Sequence, residues 1–208
     1  QVLSRLGVSP GWRFVDVLGF EEEALGAVPS PACALLLLFP LTEQHENFRK
    51  QQTEKIKDQE ISSKVYFLKQ TVSNSCGTIG LIHAVANNKD KVKLVALNAY
   101  VLLQSMSSPV ELGILDPFSL EHVLMIYSVF RLCVLVSYIV ILNSANSYSV
   151  SLVSDGLYFT DGRLPFPVNH GTSSDDLLLK DSAKICRQFT EREKGEVRFS
   201  AVAFCKSA

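Results

Sequence analysis

The 208-residue chain has no C-x-x-C pair and no Cys/His cluster at zinc-ligand spacing, so no metal site and no zinc module is expected. It has no surplus charge of either sign: 20 Lys and Arg stand against 21 Asp and Glu, for a formal net charge of −1. Nucleic acid would find no electrostatic footprint on such a chain. Cysteine is sparse and odd in number, at Cys33, Cys76, Cys133, Cys186 and Cys205. Scattered in this way, the five fit reduced thiols in a cytoplasmic compartment better than a disulfide framework. No uninterrupted apolar run opens the chain, because Arg5 and Trp12–Asp16 break it, and no signal peptide is expected. What remains is 47% apolar and 20% charged, the makeup of one ordinary domain spanning residues 1–208.

Charge is scarcest in the middle. From Leu94 to Thr160 only Glu111, Asp116, Glu121, Arg131 and Asp155 are charged, and the other 36 of the 41 charges lie in the flanks. Val123–Leu142 is a 20-residue apolar run broken only by Arg131, Ser128, Ser137 and the tyrosines. Three readings stay open for it: a transmembrane segment by length, a buried Val- and Ile-rich helix or strand pair, or sequence that is not natural coding.

The flanks read as globular protein. Phe14–Leu18 suggests a short element followed by an acidic turn at Glu21–Glu23. Cys33–Phe39 is a continuous apolar run stopped by Pro40, too short for a bilayer and suited to a buried strand. Glu43–Glu60 reads as a solvated helix, with His45 on its charged surface. Lys64–Gln70 reads as a strand. A loop, Thr71–Ser75, then leads into a helix from Cys76 to about Asn88, with Ile79, Leu81, Ile82 and Val85 on its apolar side. Asp161-Gly162-Arg163 is a turn, and Pro165 and Pro167 keep the following stretch extended. Ser174 to about Lys194 is an amphipathic helix ended by Gly195. Val197–Phe204 has strand character, with Val197, Phe199 and Ala201 on one face.

The chemistry-bearing stretch runs from Gln70 to Ala84. Cys76 sits where a polar loop becomes a helix, with Asn74 and Ser75 as good capping types. Unpaired N–H groups and the helix dipole there favour thiolate and are expected to lower the thiol pKa. The same groups can hold an oxyanion, and Gln70, six residues upstream, can add an amide N–H. Gly77 leaves room for a substrate backbone. Without Gln70, a buried structural cysteine would be the better reading.

Gln70-x-x-x-Asn74-Ser75-Cys76-Gly77-x-x-x-Leu81-Ile82-His83 resembles, at every defining position, the active-site signature of the ubiquitin carboxyl-terminal hydrolases, a family of thiol peptidases. Val2 to about Val92 looks like a small member of that family, including Trp12–Leu18, Pro31–Pro40 and His45–Lys50. The resemblance resumes at Leu157-Tyr158, passes through Asp161–Gly171 and reaches the C-terminus. It implies an α/β fold of papain-like type, with a central, mostly antiparallel sheet flanked by helices. It also implies a cysteine deubiquitinase acting at the C-terminal glycine of ubiquitin, with ubiquitin and its C-terminal adducts as partners and no cofactor. The nucleophile falls on Cys76, the oxyanion-stabilising glutamine on Gln70 and the imidazole-orienting aspartate on Asp161. Glu196, Val197, Arg198, Phe199, Ser200 and Ala201 match a segment that contacts ubiquitin in the family. Glu21–Glu23 is read as a solvated turn before a complement to ubiquitin's basic surface.

The chain departs from the family in one respect. The family's catalytic histidine lies fifteen residues before the aspartate; here that position is Asn146, or Ser147 with one gap. Neither side chain titrates near neutral pH. His83 would lie about 10 Å along the helix from Cys76 and suits a structural role. His170, nine residues past Asp161, is the remaining substitute that can be placed, since His122 sits inside the unfamiliar block 94–145. In that block the resemblance vanishes abruptly between well-matched flanks, as in translated intron or an erroneous gene model. The chain also begins about a dozen residues into the family's pattern. A ubiquitin-binding pseudoenzyme, or an inactive mispredicted variant, is therefore the alternative to an active hydrolase. Cys205-Lys206-Ser207-Ala208 has the register of a prenylation site but carries Lys206 where an aliphatic residue belongs, so it reads as a cysteine ending an edge strand, and membrane association is not favoured. Tryptic digestion of the natural protein should yield no peptides from Leu94–Arg131; their detection by mass spectrometry would establish the block as translated sequence.

Overall fold

The computed structural model describes residues 2–5, 7–70, 76–93 and 145–207. The loop Thr71–Ser75 lies outside the described residues, as does block 94–144 with His122, Cys133 and the Val123–Leu142 run. In chain order the elements are α1 (Val2–Arg5), β1 (Trp12–Val17), α2 (Glu22–Gly26), β2 (Ala32–Pro40), α3 (Glu43–Ile56), α4 (Cys76–Ala86), α5 (Lys89–Val92), β3 (Ala145–Val153), β4 (Gly156–Thr160), β5 (Val168–Thr172), α6 (Leu178–Arg192) and β6 (Ser200–Lys206). The strands form one six-stranded antiparallel sheet in the order β1-β6-β2-β3-β4-β5. Cys205 therefore lies on an interior strand rather than an edge strand, and it is fully buried.

β2 explains the unbroken apolar run. Leu35, Leu37 and Phe39 enter the core on the α3/α6 side, while Ala34, Leu36 and Leu38 enter the core on the α4 side. A strand covered on both faces has no polar face and so no alternation. β3 alternates instead: Tyr148, Val150 and Leu152 join the first core, and Ser147, Ser149 and Ser151 are the buried residues between them. The serines lie where α4 comes closest. A Cβ on Gly80 would stand 2.5 Å from the Ser147 hydroxyl oxygen. Only glycine above a small side chain permits that approach.

α4 is buried without interruption from Thr78 to Ala86, far more than the one expected apolar side. A helix apolar on every side has to be covered on every side. Leu81, Ala84 and Val85 pack toward the sheet, and Ile82 and Ala86 pack toward Tyr66 and Leu68. Residues 64–70, expected as a strand, form no ladder. Their alternate N–H groups go elsewhere: Tyr66 donates to Asn87 Oδ1 at 2.8 Å, Leu68 to His83 Nε2 at 2.9 Å and Gln70 to the Gly162 carbonyl at 2.7 Å. The pattern is strand-like because helix side chains stand where a neighbouring strand would.

α6 follows the expected amphipathic pattern, burying Leu178, Ala183, Ile185, Cys186 and Phe189, and Gly195 follows it at φ +86°. Beyond it the expected strand starts late. The Glu196 N–H turns back to the Glu193 carbonyl, and ladder pairing begins at Ser200. Val197 is consequently 87% exposed while Phe199 packs against the core, so the expected common face does not extend to Val197.

α3 differs most from its sequence. His45, expected in solvent, is 2% exposed, and Arg49 is buried one turn on. His45 Nε2 hydrogen-bonds the Tyr148 hydroxyl. Arg49 donates to that hydroxyl at 3.2 Å, to Asp161 Oδ2 at 2.8 Å and to Glu46. The helix is capped by Thr42, whose hydroxyl accepts from the His45 N–H and donates to Glu193. Positions 45 and 49 form a narrow stripe of paired polar groups, which hydropathy cannot mark as internal.

Removing one partner of a buried ion pair strands the other charge. Arg49→Met should therefore cost about 3–5 kcal/mol in urea unfolding. Burial, with Arg49, Arg192 and Arg163 nearby, pushes the His45 imidazole from 6.5 down to about 3. The unfolded chain takes up that proton below about pH 6.5 and the native chain does not. Stability is thus complete above that pH and falls on acidification, by up to about 1.4 kcal/mol per pH unit for this group. His45→Gln should flatten the acid limb of a stability–pH curve by one proton.

Candidate active site

Three close approaches to Gly162 bring the expected site residues together. Gly162 lies between α4 and the end of the 64–70 segment. A Cβ there would stand 2.7 Å from Ile79 Cγ2 and 3.1 Å from Gln70 Cβ. Its carbonyl accepts the Gln70 N–H at 2.7 Å. Ile79 is three residues beyond Cys76, so the Asp161-Gly162-Arg163 turn, Gln70 and the first turn of α4 share one locale. The glycine of that turn is required by close approach on two sides.

Cys76 begins α4 and is partly buried. The thiol pKa runs opposite to the sequence expectation: burial raises it. The Gly77 N–H, Arg163 and the cysteine's own N–H pull it down, but they do not offset the loss of water. Helix-terminal N–H groups lower a thiol pKa only where solvation of the thiolate is otherwise retained. Gln70 and Cys76 are both engaged in further interactions at the edge of the described residues.

Asp161 is 3% exposed, and both of its oxygens are taken. Oδ1 accepts from the Arg163 N–H at 2.9 Å, and Oδ2 accepts from Arg49 Nε at 2.8 Å. Burial raises its pKa while Arg49 and the Arg163 N–H work against that shift. None of the three described histidines bonds to it. His83 is fully buried and accepts from the Leu68 N–H at 2.9 Å. His45 belongs to the Tyr148 network. His170 lies on exposed β5, its ring 6.0 Å from that of Phe159. His122 is outside the described residues.

The β3 register bears on the vacant histidine position. Asn146 pairs with Phe39, and Ser147 pairs with Leu38. Ser147 is the residue that meets Gly80, one turn along α4 from Cys76. Its hydroxyl is buried without a hydrogen-bond partner.

Sequence reasoning missed Arg49, Tyr148 and Asn87. Arg49 stands i+4 from His45 in a run whose polarity concealed it, and Asn87 stands i+4 from His83. Tyr148 lay in the low-charge region that matched nothing. Of the segment 196–201, Glu196 folds onto Arg198 through bonds of 2.9 Å and 2.6 Å, and Val197 points to solvent. Leu18, 94% exposed, sits at the same end of the β1–β6 pair. Glu22 of the acidic turn lies 3.7 Å from Lys180. Among the described residues no three His, Cys, Asp or Glu side chains converge as metal ligands.

Known proteins share this architecture. The catalytic domain of Trichinella spiralis UCH37, solved bound to ubiquitin vinyl methyl ester, superposes with a TM-score of 0.68 over 99% of this chain and 90% of that one. At 18% identity, that likeness speaks for the fold alone. The ubiquitin carboxyl-terminal hydrolase isozymes L1 of horse (Equus caballus) and human (Homo sapiens) are each 57% identical over 211 aligned residues, covering 100% of this chain and 94% of theirs. The bovine (Bos taurus) isozyme L1 is 50% identical over 240 aligned residues. The model of ubiquitin carboxyl-terminal hydrolase, family 1, matches residues 1–109, the half that holds Gln70, Cys76 and α4. With that match and that identity, the chain belongs to the ubiquitin carboxyl-terminal hydrolase family 1.

Proposed function

We propose that Cys76 is the nucleophile with which this chain hydrolyses bonds at the C-terminal glycine of ubiquitin. The observation that carries the reading is the convergence of Gln70, the Asp161 turn and the start of α4 about Gly162. The thiolate adds to the glycine carbonyl carbon. The Gln70 side-chain amide and the Cys76 N–H hold the oxygen as it becomes anionic. Collapse breaks the bond between the glycine carbonyl and the adduct, which takes a proton from water as it leaves, and a second water hydrolyses the thioester to free ubiquitin and restore the thiol. Asp161 holds Arg49 and Arg163 in place and supplies the site's negative charge. Val197 and Arg198, with exposed Leu18 beside them, form the surface on which ubiquitin docks. No cofactor enters these steps. The compartment is the cytoplasm, where unbridged cysteines persist; the four described cysteines form no disulfide with one another. Among the described residues no helix is long and apolar enough to cross a membrane.

The position from which a base would face α4 is Ser147, a hydroxyl that does not titrate near pH 7. Turnover then depends on thiolate formed by solvent. A missing general base costs about 10²–10⁴-fold. A fluorogenic ubiquitin C-terminal substrate should be turned over slowly, and Cys76→Ser should abolish turnover. Since the thiol pKa is raised, the thiolate fraction climbs about tenfold per pH unit below it. The rate should therefore climb log-linearly from pH 6 to 9, whereas a plateau near neutrality would reveal an imidazole base. Asn146→His alone should recover little, because the block 94–145 that leads into it also departs from the family. Capture of ubiquitin without any turnover at any pH would make the chain a ubiquitin-binding pseudoenzyme.

A further inference from the structure

The segment that carries Gln70 is held by the helix that carries Cys76. Asn87 grips residue 66 at both ends of its backbone: Oδ1 accepts the Tyr66 N–H at 2.8 Å and Nδ2 donates to the Tyr66 carbonyl at 3.0 Å. One turn back on α4, His83 Nε2 accepts the Leu68 N–H at 2.9 Å. Two residues further along the segment, the Gln70 N–H reaches the Gly162 carbonyl at 2.7 Å. The grips fall on residues 66, 68 and 70, the spacing at which an extended chain presents N–H groups to one side. Two of the three partners are side chains four residues apart, His83 in α4 and Asn87 just past its last residue, where the Asn87 N–H still donates to the His83 carbonyl at 3.1 Å. Phe67 stacks on the His83 ring, with centroids 5.4 Å apart and planes at 13°.

We infer that His83 and Asn87 are a positioning pair, setting the Gln70 amide against Cys76 by referring both to α4. The inference rests on the reading of Gln70 as an oxyanion donor. Only residues 71–75 separate Gln70 from Cys76, so the short connection is anchored to one rigid body at both ends. Oxyanion stabilisation depends on donors held within a few tenths of an ångström of the developing charge. The role suits neutral imidazole. Nε2 acts as an acceptor only when unprotonated, and full burial keeps the ring so, pushing its pKa from 6.5 to about 3. A merely space-filling residue at 83 would need no acceptor aimed at the Leu68 N–H.

The test separates positioning from folding. A ubiquitin C-terminal aldehyde reacts with Cys76 by forming one S–C bond, the thiol proton passing to the aldehyde oxygen, which then occupies the oxyanion position. Iodoacetamide alkylates the same sulfur by displacing iodide and needs no such donor. His83→Leu should weaken aldehyde capture at least tenfold while leaving iodoacetamide alkylation of Cys76, read on its own peptide, within threefold. Amide exchange in residues 65–70 should accelerate. His83→Gln, which keeps an acceptor, should retain capture within threefold. Asn87→Ala should reproduce the loss should His83→Leu not fold. Unchanged capture and exchange would overturn the proposal, as would a parallel fall in capture and alkylation, since that means the start of α4 has moved. Gln70→Ala without effect on capture would overturn the oxyanion reading instead, and accelerated exchange in His83→Leu would then still mark the clamp.

Discussion

A helix with no polar face sets the terms for the rest of the molecule. α4 is buried continuously from Thr78 to Ala86, so it is covered on the sheet side and on the far side as well. On the sheet side this requires Gly80 above the serines of β3. On the far side, among the described residues, it is the extended segment 64–70 that lies across it. A peptide segment that covers a buried helix away from any ladder needs partners for the N–H and C=O groups it turns inward. α4 and the turn that follows it supply them from His83 and Asn87. The apolar requirement of the helix thus creates a polar requirement in its cover, and the cover ends at Gln70. Site geometry and core packing arise from one constraint.

The same burial sets the electrostatics. Cys76, His45, His83 and Asp161 are all shifted in the direction that disfavours charge, and in each case loss of water is the largest cause. Where charge is kept, it is kept in pairs. Arg49 neutralises Asp161 and Glu46, and Arg163 lies 3.6 Å from Glu46. Two cations and two carboxylates joined across α3 and the β4–β5 connection hold the turn bearing Gly162 in place. An aspartate committed to guanidinium on one oxygen and to backbone on the other is a rigid part of the site whether or not an imidazole reaches it.

Much of this was legible in the sequence where apolar pattern and burial coincide. The run Cys33–Phe39 is a strand covered on both faces, Ser174–Lys194 contains α6, and the Gln70–His83 signature marks the helix start and its glutamine. Legibility failed where burial is polar. His45 and Arg49 sit in a run of charge and amide side chains, and nothing in their hydropathy distinguishes the stripe facing Tyr148 from the stripe facing water. It failed again at 64–70, where period-two alternation is real but the partners are side chains; periodicity reports which way residues point, not what they bond. The raised thiol of Cys76 is a third case. A cap and a helix start are visible in sequence, while the amount of water they retain is a property of the packed structure.

The β3 strand joins these threads. Counting fifteen residues back from Asp161 reaches Asn146, but a count along the chain is insensitive to a one-residue change at the Ser154-Asp155 turn, where both residues take positive φ. Parity is sensitive to it, because a one-residue slip moves every side chain to the other face. Tyr148, Val150 and Leu152 fill the aromatic core with Phe159 and Phe189, which leaves the odd positions to α4. The register is therefore decided by the largest buried side chains of the strand rather than by its end. The same decision puts a serine, small enough for the close approach of Gly80, on the face of the sheet that looks toward the nucleophile's helix. A strand arranged for tight helix packing and a strand arranged to present a base make different demands on that one position, and in this chain the packing demand is the one satisfied.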